Sequence, residues 1–291
     1  MSDISTHPGF QSAAAIAPAA PQRAHFSAQK TPTQLRTLAI FAPVRETALD
    51  VLARHGQTLA LRRRGLLALG PEHDSQAIFV WSGACRALSV SPNGEALCLA
   101  SIRSGEPIDI AHALAGAPRL PGMRIVADEA SQLLLIPAPA LAEASALCGV
   151  LSANLLQAVA RAHIATAWRL FESRALDLRS RLIGEILRMG ERGALEHGAI
   201  IIETPPTQRD LATRIGAARE GVARHLQTLE SEGLLRREPK RLKLVAVRRL
   251  VEEYYHATGR VFEAYAPMGR LAGPSLTQSA ILQKRGRDPG Q

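Results

Sequence analysis

Residues 207–233 read TQRDLATRIGAAREGVARHLQTLESEG, and this stretch decides the fold. The Thr207 hydroxyl can accept a hydrogen bond from an otherwise unpaired amide two or three residues on, so it suits the start of a helix. Asp210, three positions later, falls at the positive end of that helix's dipole. Leu211 and Ile215 supply an apolar face, and Gly216 ends the helix. A second helix begins about three residues further on. Unrolled at about 100° per residue, it gathers Val222, Leu226 and Leu229 within about 60°, with Ala223 beside them. Glu220, Gly221, Arg224 and Thr228 fall on the other side. One face packs and the other presents charge. A guanidinium can bond guanine N7 and O6 together, and a carboxylate can accept from cytosine N4, so the charged face has base-reading chemistry. Gly221 gives up about 1 kcal/mol of helix propensity relative to Ala, which a close approach to DNA would explain. Behind the pair comes LLRREPKRLKLVAV, residues 234–247, read as strands at Leu234-Leu235 and Leu242–Val247 around the basic wing Glu238-Pro239-Lys240-Arg241. Helix, tight turn, charged helix and basic hairpin in this order read as a winged helix-turn-helix.

The rest of the composition agrees. The 291 residues are 46% apolar, enough for two modest cores, and carry 35 Lys and Arg against 26 Asp and Glu. That excess draws polyanions, nucleic acid above all. The positive charge is concentrated between residues 207 and 249, where Arg209, Arg214, Arg219, Arg224, Arg236, Arg237, Lys240, Arg241, Lys243, Arg248 and Arg249 outnumber the acids. Cys85, Cys98 and Cys148 form no C-x-x-C pair, so they read as free thiols of a reducing cytosol. No run spans a bilayer, and the Ala-rich stretch 13–20 is broken by Pro18 and lacks a basic leader. A cytoplasmic protein without membrane association is expected.

Upstream, residues 1–33 are rich in Ala, Pro, Ser and Gln and read as a disordered arm. An amphipathic helix is expected from about Leu35 to Ala53, followed by short strands: AIFVW (77–81) closed by Ser82-Gly83, then 84–90, a turn at Ser91-Pro92-Asn93-Gly94, and 95–102. Asn-Gly between two β-prone runs is a strong hairpin signal, because both residues tolerate positive φ. IVADEASQLLLI (125–136) reads as two strands around an acidic turn. Many short strands in about a hundred residues suggest a small barrel or roll. After Pro139 the period changes. Leu151, Leu155, Val159, Ala162, Thr166 and Leu170 recur at three- and four-residue steps along a long helix, a stripe that suits a core face or a close helix–helix seam. A further helix follows at Leu178–Met189, and residues 266–291 read as a tail.

The segment AAREGVAR (217–224) resembles the recognition helix of the Crp/Fnr family of transcription regulators, in which Arg-Glu-x-x-x-Arg reads a TGTGA-like half-site. The resemblance implies that Arg219 and Arg224 contact guanines and Glu220 a cytosine. It also implies phosphate contacts from Thr207, Arg209, Lys240 and Arg241. The serine that often precedes the Arg-Glu pair is Ala218 here. AIFVWSG and IVADEASQLLLIP resemble strands of the family's β-roll, and the long helix takes the place of its dimerisation helix. The expected architecture is therefore α+β: a cyclic-nucleotide-binding-like β-roll over 34–140, a dimerisation helix over 141–174, a winged helix-turn-helix over 175–250, and a C-terminal helix and tail over 251–291. Leu151, Leu155, Val159, Ala162 and Thr166 become the expected homodimer interface. Double-stranded DNA, a second copy of the chain and RNA polymerase are the partners such a regulator would engage.

Relatives that bind cyclic nucleotides hold the phosphate with a Gly-Glu-Leu turn and a nearby Arg. The matching stretch is GEPIDIAHAL (105–114) followed by APRLP (117–121), which puts Asp109 and Ile110 at the Gly and Glu positions and leaves Arg119. A carboxylate there repels a phosphate and Ile110 offers a sugar no acceptor, so cyclic-nucleotide binding is not expected. Residues 1–33 hold no cysteine, which argues against the family's N-terminal iron–sulfur cluster. Haem stays open, with His73, His112 and His163 as candidate axial ligands; no cofactor is assigned. Two other readings compete: a protein-interaction module whose helix-turn-helix no longer binds DNA, and a cupin-like metalloenzyme on the β-roll. The second needs clustered ligands, and the sequence has no H-x-H.

Overall fold

The runs AIFVW and QLLLI are apolar without a break because the strands they form are covered on both faces. In β4 (Gln76–Ser82), Ala77 and Phe79 face one core while Ile78 and Val80 face another. In β9 (Ser131–Pro137), Leu134 and Ile136 divide from Leu133 and Leu135 in the same way. Strict period-two alternation of polar and apolar residues is thus absent where a sheet has no wet side. The computed structural model describes residues 26–27, 30–260, 262 and 265. The chain divides into two units, Met1–Arg174 and Ala175–Gln291.

The first unit is built on two antiparallel sheets. One runs β1 (Phe26–Ser27), β2 (Gln57–Leu61), β9, β4 and β7 (Pro107–Ile108). The other runs β3 (Leu66–Ala68), β8 (Arg124–Ala127), β5 (Ala84–Val90) and β6 (Ala96–Arg103). Leu59, Ile78, Cys85, Ile102, Ile125 and Leu133 belong to the core between them. The β5–β6 hairpin turns at Asn93-Gly94 as expected, with Gly94 at φ 82°. On the outer face of the first sheet lie α1 (Pro32–Leu35), α2 (Glu46–His55), α3 (Ile110–Ala115), α4 (Ala138–Leu147) and the start of α5 (Gly149–Ala175).

Several sequence expectations are corrected here. The helix expected over 35–53 is two helices: residues 36–45 form tight turns, and Arg36 donates to Ala42 O and Val44 O and pairs with Glu46 at 2.7 Å. Pro43, which has no amide hydrogen to continue a helix, lies inside that turn. The arm expected over 1–33 ends earlier, since β1 pairs with β2 and Thr31 caps α1. Residues 1–25 and the tail at 266–291 lie outside the described residues. The long helix is broken at Cys148, whose backbone is extended (φ −146°, ψ 97°).

The dimer stripe is also corrected. Leu151 and Leu155 are 0% and 3% exposed because they pack into their own unit's core, with Val159 against its edge. Ala162 and Thr166 continue that side of the helix where it is exposed. Ala153, Leu156, Ala160, Ile164, Ala167 and Phe171 lie within about 80° of arc on the opposite side. Leu156, Ile164 and Phe171 are 70%, 57% and 42% exposed. The long helix carries two apolar stripes, and the outward one is not the one the three- and four-residue spacing singled out.

The second unit comprises α6 (Leu178–Gly190), α7 (Gln208–Ile215), α8 (Arg219–Ser231), α9 (Val247–Thr258) and a sheet ordered β10 (Ala194–Glu196), β11 (Ala199–Glu203), β13 (Arg241–Leu244) and β12 (Leu235–Glu238). The wing strands differ from the expected pair: β12 runs on through Arg236 to Glu238, while Val247 already begins α9. Nor is α9 an appendage beyond residue 250. Leu250 and Tyr254 are fully buried in this unit's core, and Phe262 and Tyr265 join them. No helix among the described residues is long and apolar enough to cross a membrane.

Candidate nucleic-acid interface

Helix α7 starts where Thr207 and Asp210 satisfy each other. Asp210 N donates to Thr207 Oγ1 at 3.1 Å, and Thr207 N donates to Asp210 Oδ2 at 3.1 Å, a reciprocal box that pairs two amides the helix cannot. The Thr207 hydroxyl also donates to Asp210 Oδ2 at 2.7 Å, so its proton is committed within the cap. At the other end Gly216 takes the left-handed conformation, φ 60°, and Arg181 of α6 donates to Ile215 O at 3.0 Å. Arg214 reaches back from α7 to Glu185, 3.2 Å away, and Arg188 lies 3.0 Å from the same carboxylate, which is 2% exposed. Charged groups of α6 therefore clamp the turn between the two helices. Sequence periodicity could not find them, because Arg181 and Glu185 lie on a helix whose apolar residues set its reading.

The buried side of α8 is Val222, Leu226 and Leu229, as expected. Arg219, Glu220 and Arg224 are exposed, and their charged groups make no hydrogen bond or ion pair with any described residue. The Thr228 hydroxyl donates to Arg224 O at 3.1 Å. Gly221 departs from expectation. It is buried, and a Cβ there would come within 2.7 Å of Leu178 Cδ2, so its small size admits α6 rather than DNA. Ala218 at the N-cap gives no side-chain cap, which leaves the first amides of α8 without that partner.

The wing is tied to α8 by Glu230. Arg237 donates to it from its backbone N at 2.9 Å and from Nε at 2.8 Å, and these bonds hold the Glu230 carboxyl below its ordinary range. At the tip Lys240 is exposed, its carbonyl accepting from Thr204 N at 2.8 Å. Arg241 is already paired with Glu203 at 2.8 Å across the sheet, and Arg209, exposed on α7, also has a partner within the protein. Of the expected phosphate contacts, Lys240 alone presents a cationic group with no partner among the described residues. Arg179 was not expected to matter. It bridges Glu232 at the end of α8 (2.6 Å) and Glu253 on α9, and the two carboxylates raise its pKa further. The hairpin that supports the wing, β10–β11, was also missed. Its turn is His197-Gly198, both at positive φ (49° and 79°), and His in the first place hides the usual Asn-Gly signal.

In the first unit, Ile110 is 2% exposed inside the apolar core, and Asp109 just before it has φ 50°. Arg119 is turned inward onto His73 O and Gln76 O, with Asp109 and Asp74 at 3.4 and 3.6 Å. His73 and His112 border this cluster, whereas His163 is exposed on α5. Among the described residues no group of three or more His, Cys, Asp or Glu could hold a metal ion.

Comparison with known proteins agrees with this geometry. No curated protein matches the sequence. Solved structures do match: FixK2 from Bradyrhizobium japonicum is 19% identical, with a TM-score of 0.57 over 67% of this chain and 95% of that one. A CRP/FNR-family transcriptional regulator from Thermus thermophilus is 22% identical, with a TM-score of 0.56 over 69% and 99%. CLP from Xanthomonas campestris, described as a c-di-GMP-responsive global regulator, is 18% identical, with a TM-score of 0.58 over 69% and 99%. At these identities the likeness is one of fold, and the sequence match falls on the second unit, where residues 180–253 fit the Crp-like helix-turn-helix domain family. Residues 180–253 are a Crp-like helix-turn-helix domain, carried on a chain with the fold of Crp/Fnr transcription regulators.

Proposed function

We propose that the chain is a sequence-specific transcription regulator that reads a TGTGA-like palindrome as a homodimer. The observation that carries this reading is the exposed trio Arg219, Glu220 and Arg224 on α8, whose charged groups have no partner within the described protein. A pre-oriented guanidinium with nothing to bond is suited to a guanine edge, and a free carboxylate to cytosine N4. Lys240 at the wing tip supplies a phosphate contact, which positions without specifying. The homodimer forms through the exposed stripe of α5, where Leu156, Ile164 and Phe171 rise among alanines small enough to let two helices approach. It acts on transcription without enzymatic chemistry. It takes no cyclic nucleotide, because Arg119 is engaged by the protein itself and Ile110 is part of the core. Titrating the full chain against a TGTGA palindrome and a scrambled duplex at about 0.15 M salt tests the reading. A preference of at least about 10³-fold is expected, and equal affinity for both duplexes overturns it.

A further inference from the structure

The Arg119 side chain is 2% exposed, and its environment is incomplete. The two terminal nitrogens donate to the carbonyls of His73 and Gln76, but Nε has no hydrogen-bond partner. Opposite Nε, at 3.4 Å, stands Asp109 Oδ2, which also has none. The other Asp109 oxygen lies 3.4 Å from His112 Nε2. Burial raises the Asp109 pKa, while His112 and Arg119 pull it back. The Asp109 backbone is left-handed, φ 50°, a conformation that costs a residue with a Cβ and suits glycine. A desolvated carboxylate on a strained backbone, set against a buried guanidinium too long for a good hydrogen bond, has the arrangement of a bound anion rather than of a packed side chain.

We propose that the Asp109 carboxylate is a tethered ligand, filling from within a small-oxyanion site built by Arg119 and His112. Once the tether is removed, the site takes a free monocarboxylate of formate size. A buried guanidinium without a counter-charge is strongly disfavoured, so an anion from solution gains what Asp109 normally supplies. In the natural chain the site is satisfied without any ligand from solution. The inference rests on the first unit alone and is independent of how α8 reads DNA.

Asp109→Gly removes the carboxylate and relieves the left-handed strain in one step. The melting temperature of the full-length variant in sodium formate is compared with that in sodium chloride of equal ionic strength, beside the natural chain. In chloride the variant is expected to melt several degrees lower. About 0.1 M formate is expected to restore about half of the loss or more, while the natural chain responds alike to both salts. Asp109→Asn, whose amide keeps the volume without the charge, is expected to melt lower and to ignore formate. If Asp109→Gly does not fold in chloride, the yield of refolded protein in formate against chloride gives the same readout. The proposal is overturned if the glycine variant matches the natural chain in chloride, or if formate and chloride act on it equally.

Discussion

Leu178 Cδ2 lies 2.7 Å from where the Cβ of a side chain at position 221 would begin. Leu178 is the first residue of α6 and Gly221 lies in the second position after Arg219 on α8, so the reading helix is seated on the N-terminal end of α6 at a glycine.

Gly221→Ala separates the two explanations of this glycine. Helix propensity favours Ala by about 1 kcal/mol, and displacing a Leu methyl offsets part of that gain. The stability of the single variant is expected to stay within about 1 kcal/mol of the natural chain, and adding Leu178→Ala to make room costs the packing instead. DNA affinity is expected to change little in Gly221→Ala, as fluorescence anisotropy would report. A large loss of affinity in a variant of unchanged stability would mean that the glycine faces DNA after all.

The two stripes of α5 give opposite outcomes. Leu156→Glu with Ile164→Glu places charge on the exposed stripe, and light scattering is expected to show a folded monomer where the natural chain is a dimer. Leu155→Glu buries a charge in the first unit's core and is expected to cost several kcal/mol, with lost helical circular dichroism. A natural chain that is monomeric at micromolar concentration refutes the dimer.

Arg224 and Lys240 are expected to fail differently. Arg224→Ala should cost about 1–3 kcal/mol per cognate half-site and relax preference at one base pair. Lys240→Ala should weaken binding to every sequence and reduce the salt slope by about one unit. Arg241→Ala should do less than Lys240→Ala, because Arg241 already has Glu203 as a partner. Sites selected from random DNA decide the matter: an unchanged motif for Arg224→Ala rules out α8 as the reading helix.

Asp177 caps α6, its Oδ1 accepting from Ser180 N at 2.8 Å, and that bond lowers its pKa below 3.8. A carboxylate lowered in the folded state contributes stability that is present above 3.8, the unfolded value, and is lost as pH falls through the folded value. Asn caps as well as Asp but does not titrate. Chemical denaturation should therefore find Asp177→Asn close to the natural chain near neutral pH, with a shallower acid limb below 3.8. Superimposable acid limbs would show that the cap contributes nothing that titrates.

What the sequence alone determined is local in origin. Thr207, Gly216 and the Val222–Leu226–Leu229 spacing mark the helix-turn-helix because caps and helical periods act over a few residues. Asn93-Gly94 marks the β5–β6 hairpin for the same reason. The tertiary structure alone decided what depends on distant neighbours. A helix with two apolar stripes does not say which one meets the first sheet's helices, so the α5 seam was placed on Leu151 and Leu155, half a turn from the exposed stripe. Gly221 sits near the charged face on a helical wheel, and only the approach of Leu178 assigns it to the interior. Arg119 and Asp109 are ten positions apart in a loop-rich stretch, and their meeting depends on where His73 and Gln76 offer carbonyls. Secondary structure follows from torsions and short-range hydrogen bonds, whereas the partner of a face or a charge is fixed only when the elements pack.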